Sequence, residues 1–137
     1  MIGGIGTDLV DLMRVENCYE RFGKRFVSRI LSDREQQIFT QYKSHRRQIE
    51  WLAGRFAAKE AIAKAWGTGI GEALSFVSIE ILPDHHGKPL VYLPNGIVHH
   101  AGSSSFQMHL SITHTETQAM AFAVLELRSE EVGGRNS

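Results

Sequence analysis

The 137-residue chain carries one cysteine, Cys18. That excludes an internal disulfide and fits a reducing compartment. Cys18 has no obvious catalytic partner nearby and reads as an ordinary surface or half-buried thiol. No apolar run approaches the roughly 20 residues that a membrane helix needs. The opening MIGGIGTDLV lacks the basic flank and cleavage site of a secretory signal, so a cytoplasmic protein is expected. Fifteen Lys and Arg balance fifteen Asp and Glu, and a formal charge of zero argues against generic nucleic-acid binding. The stretch GTGIG lacks the lysine and hydroxyl residue of a Walker phosphate loop, and it follows a helical pattern where a dinucleotide fingerprint would precede one. Seven histidines raise the possibility of a zinc hydrolase. HExxH is absent, however, and the neighbouring pairs His85-His86 and His99-His100 do not readily aim two imidazoles at one tetrahedral ion.

What is present is the composition of a globular protein, 42% hydrophobic and 22% charged. One domain over residues 1–127 is expected, with 128–137 as a frayed tail. Residues 2–10 alternate as a strand, with Ile5, Thr7 and Leu9 on one face and Gly4, Gly6 and Asp8 on the other. Asp11 opens a helix over 11–22 that Gly23 interrupts. Ser32 and Glu35 have the spacing of a capping box, starting a helix that runs to about Tyr42. A long helix has its body at 47–66 and stops at Gly67. Beyond it lie the β-like runs SFVSIEIL, KPLVYL, FQMHLSITH and QAMAFAVLEL, with a short helix expected at 94–102. The order implies an α+β fold, an antiparallel sheet packed with a long central helix.

The long helix carries Arg55, Lys59, Glu60 and Lys64 among alanines and aromatics. Glu60 and Lys64, at i and i+4, share a face and suit a surface ion pair. With Trp51, Ala58, Ile62 and Trp66 on the other side, the helix reads as largely enclosed, where charges need partners or ligands. Asp8 is the second unusual acid, in a strand whose glycines leave room beside the carboxylate. A strand carboxylate and a helix carboxylate would suit magnesium with substrate phosphates, while Arg55, Lys59 and Lys64 could neutralise phosphate oxygens. The structural alternative for Asp8 is a turn or cap residue. Residues 14–29 gather Arg14, Arg21, Lys24, Arg25 and Arg29 into a basic patch on a neutral protein. Arg14, Arg21, Arg25 and Arg29 align on one face if the helix continues past Gly23.

Three stretches together, IGTDLVDLMR at 5–14, FAAKEAIAKAWGTGI at 56–70 and SITHT at 111–115, resemble the holo-acyl-carrier-protein synthases, the short bacterial type of 4′-phosphopantetheinyl transferase. The resemblance implies transfer of the phosphopantetheine arm of coenzyme A to a serine of apo-acyl-carrier protein, releasing adenosine 3′,5′-bisphosphate. It also implies Mg²⁺, or Mn²⁺, held by Asp8 and Glu60, and Lys64 at the phosphate. Arg55, Thr113 and His114 would contact the nucleotide, Gly67, Thr68 and Gly69 would shape its pocket, and Lys59 is assigned to the same pocket without a distinct role. Glu60 and a metal-bound water are both candidates for the base that deprotonates the serine. Arg14, Arg21, Arg25 and Arg29 would meet the acidic recognition helix of the carrier protein. A homotrimer with sites shared between protomers is implied as well. The turn DHHG before KPL departs from the family pattern. A catalytically inactive coenzyme A or carrier-protein binding module is the alternative, against which intact Asp8, Glu60 and Lys64 speak.

Overall fold

The computed structural model describes residues 1–128; the expected frayed tail lies, apart from Arg128, outside the described residues. The chain runs β1 (Ile2–Asp11), α1 (Leu12–Phe22), α2 (Lys24–Ile30), α3 (Asp33–Gln41), α4 (His45–Trp66), β2 (Glu80–Pro83), β3 (Pro89–Tyr92), β4 (Phe106–His114) and β5 (Gln118–Leu127). β1, β5 and β4 form an antiparallel sheet in the order β1-β5-β4, and β2 pairs with β3 in a separate two-stranded sheet. The α+β expectation holds, and α4 is the central helix, packed chiefly against β1 and β5.

The sheet is two-faced because its strands alternate. Ala119, Ala121, Ala123 and Leu125 of β5 are buried under α4, whose Ala53, Ala57, Ala61 and Ala65 are buried in turn. Small residues on both sides let the backbones approach. The approach is closest at β1, where a Cβ on Gly4 would lie 1.8 Å from the Ala65 carbonyl oxygen and one on Gly6 would lie 2.0 Å from that of Ala61. The outer face keeps large apolar side chains in solvent: Ile5 and Leu9 of β1 are each 58% exposed, and Met120 and Phe122 of β5 are 41% and 42% exposed.

The helix ends follow local chemistry. Ser32 and Glu35 form the capping box expected of them, and the Ser44 hydroxyl accepts from the Arg47 N–H to start α4 two residues ahead of its expected body. Gly67 closes α4 in the left-handed conformation, φ 106°. Gly23, at φ 56° and ψ −129°, breaks the first helical stretch in two, so its arginines do not share one continuous helix face. Asp11 is the N-cap of α1 without a side-chain cap bond; its carboxylate accepts instead from the Gln118 side-chain amide.

Two expectations fail. Of SFVSIEIL only Glu80 onward is strand, because Ser75 and Ser78 bond each other's backbone N–H groups in a turn. The expected helix at 94–102 is a run of turns, with Gly96 and Gly102 at positive φ and His99 organising it. The His99 ring is buried, its Nε2 lies 3.0 Å from the Trp66 carbonyl, and its Nδ1 accepts from the Ala101 N–H. This needs the neutral tautomer protonated on Nε2, and it satisfies a carbonyl that the end of α4 leaves without a helical partner.

This packing predicts the outcome of three substitutions. Gly6→Ala should cost about 3 kcal/mol or more, because the added methyl meets backbone rather than a movable side chain. Gly71→Ala, with nothing within 4 Å of its added Cβ, should leave the urea midpoint nearly unchanged. For His99, burial first and His100 second lower the folded-state pKa, outweighing the Trp66 carbonyl. A depressed histidine contributes stability above its unfolded pKa of about 6.5 and loses it as pH falls below that value. Urea midpoints at about pH 7.5 and about pH 5.5 should therefore differ less for His99→Gln than for the parent protein.

Candidate active site

β1 and α4 converge on a cleft of about 460 Å³ lined by Asp8, Arg14, Cys18, Phe26, Phe56 and Glu60, among others. The small-residue contact that brings the two backbones together places Asp8, on the α4-facing side of β1, in the same cleft as Glu60. Lys64 turns to the strand: its Nζ donates to the Thr7 carbonyl at 2.9 Å and to Asp8 Oδ1 at 3.2 Å. The Glu60–Lys64 ion pair that the spacing suggested is thus replaced by a Lys64–Asp8 pair between helix and strand. Glu60 is raised above the usual carboxylate range, by burial first and then by the Asp8 charge, with Lys64 opposing.

A second pocket, about 350 Å³, lies between α4 and β4. Arg47, Arg55, Ser111 and His114 line it, with Gly87 and Pro89 from the β2–β3 hairpin. Arg55 lies over the Trp51 ring at 4.6 Å, and burial pushes its guanidinium down, with Glu35 and Tyr42 opposing. Its Nε is a buried polar atom with no hydrogen-bond partner among the described residues. His114 Nε2 stands 3.7 Å from Glu50 Oε1. With two arginines against Glu50, which also lines it, and an unmet arginine donor, the pocket suits an anionic ligand.

The other expected residues scatter. Thr113 sits on the outer face of β4, opposite Met120, away from the second pocket. Gly67, Thr68 and Gly69 form an exposed to half-exposed turn at the end of α4, where the Thr68 hydroxyl donates to the Gly69 carbonyl. Arg14 reaches the Asp8–Glu60 cleft, Arg25 and Arg29 flank a smaller pocket with Phe22 and Phe26, and Arg21 is exposed over Phe22. Lys59 requires a correction. It was expected at the cofactor, but it is fully buried and donates to Glu35 Oε1 at 2.6 Å and to the carbonyls of Ile30 and Phe76. All three ammonium donors are occupied within the protein, leaving none for a phosphate.

Two contributors escaped the sequence reading. Arg47 was legible in principle, because Arg47, Trp51 and Arg55 recur every four residues along one stripe of α4. Glu35 was legible only as a capping residue, since nothing local signals a partner 24 positions away. Among the described residues, Glu16, Glu20 and His45 make the one group of three or more His, Cys, Asp or Glu side chains with ligand atoms within 4.8 Å of one another. Neither adjacent histidine pair, on which the zinc-hydrolase alternative drew, belongs to it.

The model of the 4′-phosphopantetheinyl transferase superfamily matches residues 4–123. The holo-[acyl-carrier-protein] synthase of Listeria monocytogenes serotype 4a is 47% identical over 127 residues, 93% of this chain and 100% of that protein. That of Staphylococcus saprophyticus is 43% identical over 127 residues with the same coverage. Among solved structures, the Bacillus anthracis synthase in complex with CoA (3′,5′-ADP) superposes with a TM-score of 0.80 at 41% identity, covering 93% of this chain and 99% of that one. The Helicobacter pylori synthase in complex with coenzyme A gives 0.74 at 32%, covering 89% and 99%. A family match over nearly the whole described chain, on a fold whose strand and helix carboxylates meet in one cleft, means that this chain belongs to the 4′-phosphopantetheinyl transferase superfamily.

Proposed function

We propose that the chain, acting as one transferase domain over residues 1–127, moves the 4′-phosphopantetheine group of coenzyme A onto a serine of apo-acyl-carrier protein and releases adenosine 3′,5′-bisphosphate. The observation that carries this is the convergence of Asp8, Glu60 and Lys64 at one cleft, in a chain whose relatives include synthases solved with coenzyme A. A single cysteine and no helix long and apolar enough to cross a membrane among the described residues support action in the cytoplasm.

A divalent cation, Mg²⁺ or Mn²⁺, fits the residues present. Asp8 and Glu60 offer hard oxygen donors in one cleft, and burial first and the Asp8 charge second disfavour an ionised Glu60, a cost that a cation held by both would offset. When bound, such an ion supplies charge neutralisation at the diphosphate of the donor. The chain's own groups do the rest. The serine Oγ attacks the phosphorus that carries the pantetheine arm, the bond from that phosphorus to the bisphosphate oxygen breaks, and Glu60 accepts the serine proton. Lys64, oriented by the Thr7 carbonyl, donates N–H bonds to the leaving oxygens. Arg47, Arg55 and His114 hold the nucleotide phosphates, Gly67–Gly69 form the adjoining wall, and Arg14, Arg25 and Arg29 receive the acidic carrier surface.

Within one chain, the carboxylate cleft and the cationic pocket share no lining residue. One donor molecule engages both if a neighbouring protomer presents the second pocket. The exposed Ile5, Leu9, Met120 and Phe122 on the outer sheet face support a homotrimer that covers this surface.

Incubation with coenzyme A, Mg²⁺ and a panel of apo-carrier proteins should add one phosphopantetheine mass; no mass shift on any carrier would overturn the transferase assignment. Glu60→Gln should lower turnover roughly 10²–10³-fold with an unchanged melting temperature. Near-normal turnover of that variant at low Mg²⁺ would remove Glu60 from the metal site. Phe122→Glu should sediment at monomer mass and lose transferase activity while keeping its circular dichroism spectrum. A variant that stays assembled would place the interface elsewhere.

A further inference from the structure

We infer that the buried Lys59–Glu35 pair is a positioning element of the transferase site: it clamps α2 and the α4–β2 connection onto α4, and so sets where the carrier-facing surface stands relative to Glu60. The inference rests on the function and docking surface proposed above.

Both side chains are fully buried. The Lys59 ammonium spends its three donors on three segments: the Ile30 carbonyl ending α2 at 2.7 Å, Glu35 Oε1 in α3 at 2.6 Å, and the Phe76 carbonyl of the α4–β2 connection at 2.9 Å. Glu35 answers in kind. Its Oε1 also accepts from the Ser32 N–H, and its Oε2 accepts from the Ile81 N–H of β2. One ion pair thus joins five pieces of chain with no donor or carboxylate oxygen left idle.

A buried ion pair is seldom more stabilising than well-packed apolar side chains of the same volume, because two desolvated charges must be offset. What it adds is direction. Three N–H vectors from one nitrogen fix three partners in angle as well as distance, which an apolar contact does not. The partners held this way bear on the cleft. Lys59 is the residue before Glu60. α2, held by the Ile30 carbonyl, carries Phe26 on the cleft wall and Arg25 and Arg29 beside it. Phe76 stacks its ring on Phe56 at 5.1 Å, and Phe56 lines the same cleft. Phe26 is therefore held to the ammonium through α2, while Phe76, fixed by the same ammonium, packs its ring against Phe56, which α4 itself places on the cleft wall. The cationic pocket, by contrast, is built mainly on α4 and β4, and the pair reaches it through charges that act on Arg55 with opposite sign and are removed together in a double variant.

That asymmetry makes the role testable by a split in kinetic constants. Lys59→Met keeps length and removes the ammonium but strands a buried carboxylate, so E35Q/K59M is the informative variant. It removes both charges while the Gln oxygen still accepts from Ser32 or Ile81. The double variant should unfold cooperatively but at a lower temperature than the parent, because the Ile30 and Phe76 carbonyls lose their donor, and the kinetics are read well below that transition. Its KM for coenzyme A should stay within about twofold, while kcat/KM for the apo-carrier should fall about tenfold or more, as expected when a docking surface shifts by a fraction of an ångström. Amide exchange should quicken across 24–31 and 76–81 and stay unchanged in β1 and β5. A folded double variant with parental carrier kinetics overturns the inference alone. A parent protein that transfers nothing, or whose R25E/R29E variant keeps its carrier KM, overturns the proposed function or docking surface and the inference with it.

Discussion

The contact between β1 and α4 is the constraint on which the rest depends. Two glycines on the strand face two alanine carbonyls on the helix, at a separation that leaves no space for a single methyl. Helix and strand sit this close only if neither contributes a side chain at the crossing. What the contact brings together is polar: a strand carboxylate, a helix carboxylate and a lysine that reaches across to the strand backbone. Packing that is apolar and featureless along one stretch thus dictates the electrostatics immediately beside it.

Four charged residues on one helix meet four different fates, decided by what lies opposite each. Lys64 leans to the strand, Glu60 faces the cleft, Arg55 lies over Trp51 in the cationic pocket, and Lys59 turns into the core. Rotation by about 100° per residue distributes consecutive side chains around the helix, so adjacent Lys59 and Glu60 occupy unlike environments. Burial lowers the Lys59 pKa while Glu35 opposes it, and burial raises Glu60 while Lys64 opposes it. In both cases desolvation is the leading cause and the partner the correction.

The sheet has a comparable division. Its inner face is alanine-rich and sealed by α4, and its outer face displays large apolar side chains that a solitary domain gains nothing by exposing. The two pockets open from different parts of the chain, and the proposed assembly of three copies would address both facts at once. An interface that hides the outer face is also one that can bring one protomer's cations to another's carboxylates.

Much was legible in the sequence because it is governed locally. Alternation in 2–10 assigned Asp8 to the glycine face, the Ser32–Glu35 spacing marked a capping box, and Gly67 marked the end of α4. Where local signals misled, a side-chain interaction intervened: paired serines ended the apolar run before β2, and His99 held as turns what composition suggested was helix. The charges were the least legible. Spacing paired Glu60 with Lys64, yet Asp8 was the nearer partner once β1 lay alongside; Lys59 read as a ligand-binding cation until Glu35, 24 residues away, was folded against it. By itself the sequence determined most of the elements, the buried faces and the residue types able to do chemistry, because these follow from periodicity and side-chain type. Which charge meets which was decided only by tertiary structure, because Coulombic and hydrogen-bond partners are selected by distance in space, and separation along the chain does not encode it.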